Sequence, residues 1–228
     1  PLERFAILDL ETTGLEESAQ PFQLSALKVE NWQIVGYFNS YANVPPEQME
    51  KIPYSLARKL HLEEIRERIQ SSPPLEEVLE EFLSFLSDLP LIAHNAWFDI
   101  GFLRKFHPDL PNPFLDSIEL FLLAFPLTTS YSLEELAKYK GVEKEVSLLQ
   151  KQLGFEGLPL HNALYDCLAL FCLLKRAVKK LQNSSSASLL HFSTPSLAQS
   201  FGITQPPQEL SSLFPLPAEE EADLKEIE

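Results

Sequence analysis

The sequence predicts a mixed α/β fold: an antiparallel meander of three strands, extended by parallel strands and flanked by helices. Two observations carry this. Strand-like runs come first, at residues 4–11, 22–30 and 33–42, and helical and strand-like segments alternate afterwards, the order expected of helices layered on a mixed sheet. The 228 residues, 45% hydrophobic and 11% aromatic, suffice for one sizeable core plus an appendage.

The first run, Phe5-Ala6-Ile7-Leu8-Asp9-Leu10-Glu11-Thr12-Thr13-Gly14, is apolar except for two carboxylates near its C-terminal end. As a strand it sends Asp9 and Glu11 to the same side, because side chains alternate with period two. Two anions side by side on a mostly buried strand repel each other and lose hydration, so a cation or a proton must compensate them. The next two strands meet at a turn near Glu30-Asn31, and Pro45-Pro46 ends the meander. Residues 54–70 read as one charged helix, broken by Ser71-Ser72-Pro73-Pro74. In the next helix Leu75, Val78, Leu79, Phe82, Leu83 and Leu86 recur at helical spacing, with Glu76, Glu77, Glu80 and Glu81 facing away as a solvated side.

Residues 89–94 form a short apolar run fit for a buried parallel strand, which delivers the chain into a helix ending near Phe106. A brief strand at 114–115 follows three prolines and leads to Asp116, read as the N-cap of a helix through Leu123. Ser132-Leu133-Glu134-Glu135 has the spacing of a capping box and starts another helix. The last long helix spans about 162–181.

The formal net charge of −15 argues against a broad autonomous nucleic-acid-binding surface, though not against an enzyme that grips one or two nucleotides through metal ions. From residue 183 onward one base, Lys225, faces seven acids, so the tail carries −6 of that charge. Cys167 and Cys172, five residues apart on a helix, point to different faces and suit buried thiols in a reducing compartment. No apolar stretch reaches membrane-span length and no secretion signal opens the chain, so the expectation is a cytoplasmic protein with no membrane partner. A start at Pro1 rather than Met reads as a chain processed or excised from something longer.

Three short stretches carry isolated carboxylates at strand or helix ends: Asp9-x-Glu11-Thr12-Thr13-Gly14, His94-Asn95-Ala96-x-Phe98-Asp99, and His161 followed after four residues by Asp166. This set, in this order, resembles the DnaQ-like 3′–5′ exonucleases, and specifically the subclass (DEDDh) with histidine at the general-base position. The resemblance covers roughly residues 4–180 and implies a ribonuclease H-like fold. It implies metal-dependent hydrolysis of phosphodiesters from a nucleic-acid 3′ end, with single-stranded DNA favoured over RNA. The closest alternatives are an RNA-trimming enzyme of the RNase T or oligoribonuclease kind and a non-catalytic module that keeps the fold.

Hydrolysing a phosphodiester needs a hydroxide at neutral pH and stabilisation of charge on the phosphoryl and leaving oxygens. Two divalent ions about 3.5–4 Å apart supply both, and oxygen-only ligands favour Mg²⁺ or Mn²⁺. The expected ligands are Asp9 as the bridge, Glu11 and Asp166 on the more tightly held ion, and Asp99 on the other. Five residues advance a helix by about 500°, so His161 and Asp166 cannot share one helix face. The expected arrangement puts Asp166 inside the helix and His161 on the loop before it, free to take a proton from the attacking water. His94, at the end of a buried strand, reads as a structural hydrogen-bonding group. Thr12 and Thr13 are candidates to present N–H or hydroxyl groups to the terminal nucleotide; Phe98 and Trp97 read either as base-stacking or as core residues.

Two features depart from the family. Gln23-Leu24-Ser25-Ala26 lacks its usual acidic residue and glycine, which puts the second strand in question, and the loop at 15–21 is acidic, implying weak substrate affinity unless a partner holds the strand. The domain reading is an exonuclease domain at 1–182 and a Ser/Pro/Glu-rich linker or docking tail at 183–228. A fused DinG-type helicase or a polymerase is the expected partner. Residues 208–214, Gln-Glu-Leu-Ser-Ser-Leu-Phe, loosely resemble a sliding-clamp-binding peptide, with a plain hydrophobic anchor as the alternative.

Overall fold

The structure, a computed structural model, describes residues 3–16, 18–155 and 157–182. The expected tail at 183–228, with its clamp-like segment at 208–214, lies outside the described residues, as does Glu17 of the acidic loop. The fold below is that of Glu3–Ala177; beyond it only the helical residues 178–182 are described.

The meander forms as expected from β1 (Arg4–Thr12), β2 (Pro21–Glu30) and β3 (Gln33–Tyr41). Asn31 and Trp32 turn β2 into β3 with φ of 49° and 61°. Two left-handed residues suit a two-residue hairpin because their twist matches that of the strands. β2 forms in full despite lacking the family's usual residues, with Asp9 opposite Ser25 and Glu11 opposite Gln23. After three helices, α1 (Pro46–Met49), α2 (Tyr54–Lys59) and α3 (Leu62–Gln70), comes α4 (Leu75–Leu86). The single helix read at 54–70 is thus two, divided at His61, whose φ of 50° no right-handed helix tolerates.

β4 (Leu91–Ala93) runs parallel to β1, α5 (Ala96–Phe106) returns, and β5 (Phe114–Asp116) runs parallel to β4. The chain closes with α6 (Ser117–Ala124), α7 (Leu133–Lys140), α8 (Glu143–Gln152) and α9 (Ala163–Gln182). The sheet order is β3-β2-β1-β4-β5, which puts the carboxylate-bearing strand at its centre.

Alternation along β1 assigns its two faces. Ala6, Leu8 and Leu10 join Leu75, Val78, Leu79, Phe82 and Leu86 of α4 and Ile100 and Leu103 of α5 in one buried cluster. On the other face α9 lies close against the sheet, its Cys167 thiol near the Ile7 and Ser25 carbonyls. Asp9 and Glu11 share that second face, each half-buried. Cys167 and Cys172 are free and buried, as expected of packing thiols. Among the described residues no helix is long and apolar enough to cross a membrane.

Candidate active site

The carboxylates converge at the C-terminal end of β1. One ligand oxygen from each of Asp9, Glu11 and Asp166 lies within 4.8 Å of the others. Asp166 is held by the first turn of α9, where its N–H bonds to the Asn162 carbonyl. Asn162 in turn caps the helix, its side-chain oxygen accepting from Leu164 N–H at 3.2 Å. Gln23 ties this turn to the sheet: its Oε1 accepts the Ala163 N–H at 3.3 Å and its Nε2 donates to Asn39. A neutral amide there, where the family has an acid, holds the helix without adding to the cluster's charge.

Asp99 arrives from the first turn of α5 and is almost fully buried. It is not part of the three-acid group; its Oδ1 accepts the Leu10 N–H at 3.0 Å, at the edge of β1 beyond the short β4. What aims α5 is Asp116. At the end of β5 its carboxylate accepts the N–H groups of Asn95 and Ala96, both at 3.1 Å, and of Ile118 at 3.0 Å. The sequence reading as N-cap of α6 holds, yet Asp116 also caps α5 from the neighbouring strand. Asn95, at φ 63°, offers α5 no side-chain cap of its own.

The electrostatics follow from gathering anions in a dry place. Burial pushes Asp9 up from 3.8 to about 7. Glu11 is raised well above its ordinary value by burial and then by Asp9, Asp166 and Asp99. Asp99 and Asp166 are raised by burial and then by Asp9. Such a cluster holds protons near neutrality unless a cation replaces them, and its donors are all oxygens, the set that hard divalent cations take. The residues therefore fit a divalent metal site.

His161 stands outside α9, in the left-handed region at φ 61°. Its Nε2 is 3.6 Å from Oε2 of Glu134, whose other oxygen accepts from Lys138 at 2.7 Å. Burial and then the Lys59 charge lower its pKa from 6.5, while Glu134 pulls the other way. The imidazole is thus favoured neutral, the form that accepts a proton. Beside it a cavity of about 240 Å³ opens, lined by Gln23, Tyr41, His61, Arg68 and Asn162 among others. Glu134 and Lys59 escaped the sequence reading because nothing local marks a residue that meets His161 across the fold.

The remaining sequence candidates divide. His94 is structural: Nδ1 meets Ser117 Oγ at 2.8 Å and Nε2 meets the Tyr131 carbonyl at 2.7 Å, so the ring donates from Nε2. Thr12 Oγ1 donates to the Gly14 carbonyl. Thr13 is buried, its N–H donating to Gln20 O and its hydroxyl accepting from Gln20 N–H, so it closes the loop after β1. Phe98 is half-buried, its ring edge-on to Phe102 at 5.0 Å.

A mixed five-stranded sheet with three carboxylates meeting at the C-terminal end of its central strand, and helices on its faces, is a ribonuclease H-like fold. The exonuclease family that includes RNase T matches residues 6–174, and the chain belongs to that family, the DnaQ-like group its motifs resemble. It is 29% identical over 185 residues to "DNA polymerase III PolC-type" of Clostridium perfringens, covering 79% of this chain and 12% of that protein. It is 32% identical over 144 residues to "3′-5′ exonuclease DinG" of Staphylococcus aureus, covering 60% of this chain and 15% of that protein. The chain thus spans about an eighth of the length of these relatives. Among solved structures, Exonuclease X in complex with 5′ overhanging duplex DNA superposes with a TM-score of 0.57 at 22% identity, over 88% of this chain and 99% of that one. The nuclease domain of 3′hExo, a DEDDh family member, gives 0.53 at 11% identity, over 78% and 92%. Both likenesses speak to the fold.

Proposed function

We propose that this chain is a divalent-metal-dependent 3′–5′ exonuclease that removes nucleoside 5′-monophosphates one at a time from single-stranded DNA. The observation that carries the reading is the meeting of the half-buried Asp9 and Glu11 with Asp166 within 4.8 Å, mutually repelling, with Asp99 adding its charge. Asp9, with two oxygens, would bridge two Mg²⁺ or Mn²⁺ ions; Glu11 and Asp166 would complete one and Asp99 the other. Bound there, such ions lower the pKa of water and neutralise charge on the phosphoryl oxygens.

The chain's own residues do the rest. His161, neutral and outside the helix, takes the proton of the attacking water; its left-handed backbone leaves the ring on the cavity side of α9. Asp116 keeps Asp99 in register by capping α5. The terminal nucleotide would lie between the exit of β1 and the half-buried Phe98 at the start of α5, with the buried Thr12 and Thr13 shaping the loop there through their bonds to Gly14 and Gln20.

DNA is favoured over RNA because the relatives named above are a DNA polymerase and DinG. Their greater length also supports an exonuclease module, residues 1–182, joined by a connector at 183–228 to a larger replication or repair protein, with the helicase fusion preferred over the polymerase. The test is kcat/KM on 5′-labelled DNA and RNA, single- and double-stranded, in Mn²⁺. Faster trimming of single-stranded DNA supports the assignment, and preference for RNA refutes it.

A further inference from the structure

The solvent flank of α5, turned away from Asp99, carries Trp97, Gly101 and Arg104 at spacings of four and three residues, one helix face. Trp97 is 66% exposed, so the core-packing reading of this residue fails. Its indole meets the Phe114 ring edge-on, centroids 4.8 Å apart and planes at 90°, a contact that orients the indole while leaving most of it in solvent. The Arg104 guanidinium lies over the same Phe114 ring, 5.5 Å from its centroid. Between them Gly101 is exposed, with nothing within 4 Å of the position a Cβ would take, so no side chain fills the gap.

Charge decides what this flank accepts. The one acid of α5, Asp99, is buried, whereas Arg104 and Lys105 close its last turn. In a chain of net charge −15 this is a cationic outer face with an upright aromatic ring on it. A hydrophobic protein contact would call for apolar neighbours around the indole; a cation and an empty glycine suit a polyanion whose flat bases stack. Trp97 lies two residues before Asp99 in the first turn of α5 but on the opposite side of the helix, so a strand stacked on it is one that continues past the carboxylates.

We infer that Trp97 and Arg104 form a platform for single-stranded nucleic acid, on which a base upstream of the departing nucleotide stacks and a phosphate pairs with the guanidinium. This rests on the exonuclease reading and extends it: the grip on the strand comes from the outer flank of α5, offsetting the acidic loop near residue 16. Trp97 is a binding residue there, with no part in the chemistry.

The test needs no turnover. The chain holds two tryptophans, so a Trp32→Phe variant leaves Trp97 as the single indole. Titrated in EDTA with a twelve-residue oligothymidylate, its emission should be quenched, and Trp97→Ala should weaken binding about 5- to 150-fold, the range corresponding to about 1–3 kcal/mol of stacking per base. Arg104→Gln should lower the salt dependence of binding by about one counterion. In Mn²⁺, Trp97→Ala should erase the advantage in kcat/KM of the twelve-mer over a dinucleotide. Unquenched emission at saturating oligonucleotide, or equal affinity in Trp97→Ala, overturns the proposal and leaves this face to a protein partner. Wild-type digestion in Mn²⁺ reports on the exonuclease reading by itself, so the two fail separately.

Discussion

The carboxylate of Asp99 accepts the backbone N–H of Leu10, the residue between Asp9 and Glu11, at 3.0 Å. One proposed ligand thereby clamps the strand that carries two others. Structural and catalytic duties of Asp99 are separable on this basis. Asp99→Asn keeps an acceptor for Leu10 and removes a buried charge, so its melting temperature without metal should equal or exceed that of the wild type. Asp99→Ala leaves a buried donor unpaired and should cost about 1–3 kcal/mol. Both should lose at least about 100-fold in turnover, since even partners behind a metal ligand are worth 10–100-fold. Thermal melts beside single-turnover rates check the pair.

The raised carboxyl groups make stability depend on pH in a defined direction. Asp9 rises from 3.8 to about 7, and Glu11, Asp99 and Asp166 rise with it, so the folded protein holds protons that the unfolded chain releases. Their contribution to metal-free stability is fully present below about pH 4 and is lost as pH climbs through about 7. The metal-free melting temperature should therefore fall between pH 5 and 8, and fall less in Asp9→Asn. Mn²⁺ must displace those protons, so the stabilisation it gives should grow over the same interval. A metal increment independent of pH would contradict the cluster.

For His161 the informative change is His161→Asn, because asparagine tolerates the left-handed backbone at φ 61°. The rate of chemistry should fall about 10²- to 10⁴-fold, the usual worth of a general base. Mn²⁺ affinity, read by calorimetry, should stay near that of the wild type. Loss of metal binding instead would make His161 part of the metal site rather than the base.

Asp116 tests the link between fold and site. Asp116→Ala removes the acceptor of three N–H groups at two helix starts. It should destabilise by about 1–4 kcal/mol, two caps at about 0.5–2 kcal/mol each. Activity measured well below the melting point should still drop, because the first turn of α5 carries Asp99. Full activity in a folded Asp116→Ala protein would show that α5 is held by other contacts.

Where one short stretch carries both its period and its chemistry, the sequence was readable. The meander, α4 and α9 follow from apolar spacing, and the three motifs pick out Asp9, Glu11, Asp99, His161 and Asp166; of these the fold brings Asp9, Glu11 and Asp166 together, ties Asp99 to the backbone of β1, and leaves His161 just before α9 beside Glu134. Short helices were readable only where a cap announced them, as Asp116 does for α6 and Ser132 for α7. α8 buries only Val146 and Gln150, too few apolar positions to set a period, and α1 has four residues. The break at His61 lacks the glycine or proline that normally announces one. Contacts between distant segments escaped for a different reason: Asp116 caps a helix starting 20 residues earlier, and Glu134 meets His161 from another element. Neither partner carries a local mark of the other.

The most direct test is digestion of a 5′-labelled single-stranded DNA in Mn²⁺ by the wild type and by Asp9→Ala, with products resolved base by base and the released nucleotide identified. The expected result is a ladder shortening from the 3′ end with nucleoside 5′-monophosphate as product, abolished in Asp9→Ala. Cleavage proceeding only from the 5′ end, or an undiminished ladder in Asp9→Ala, would contradict it.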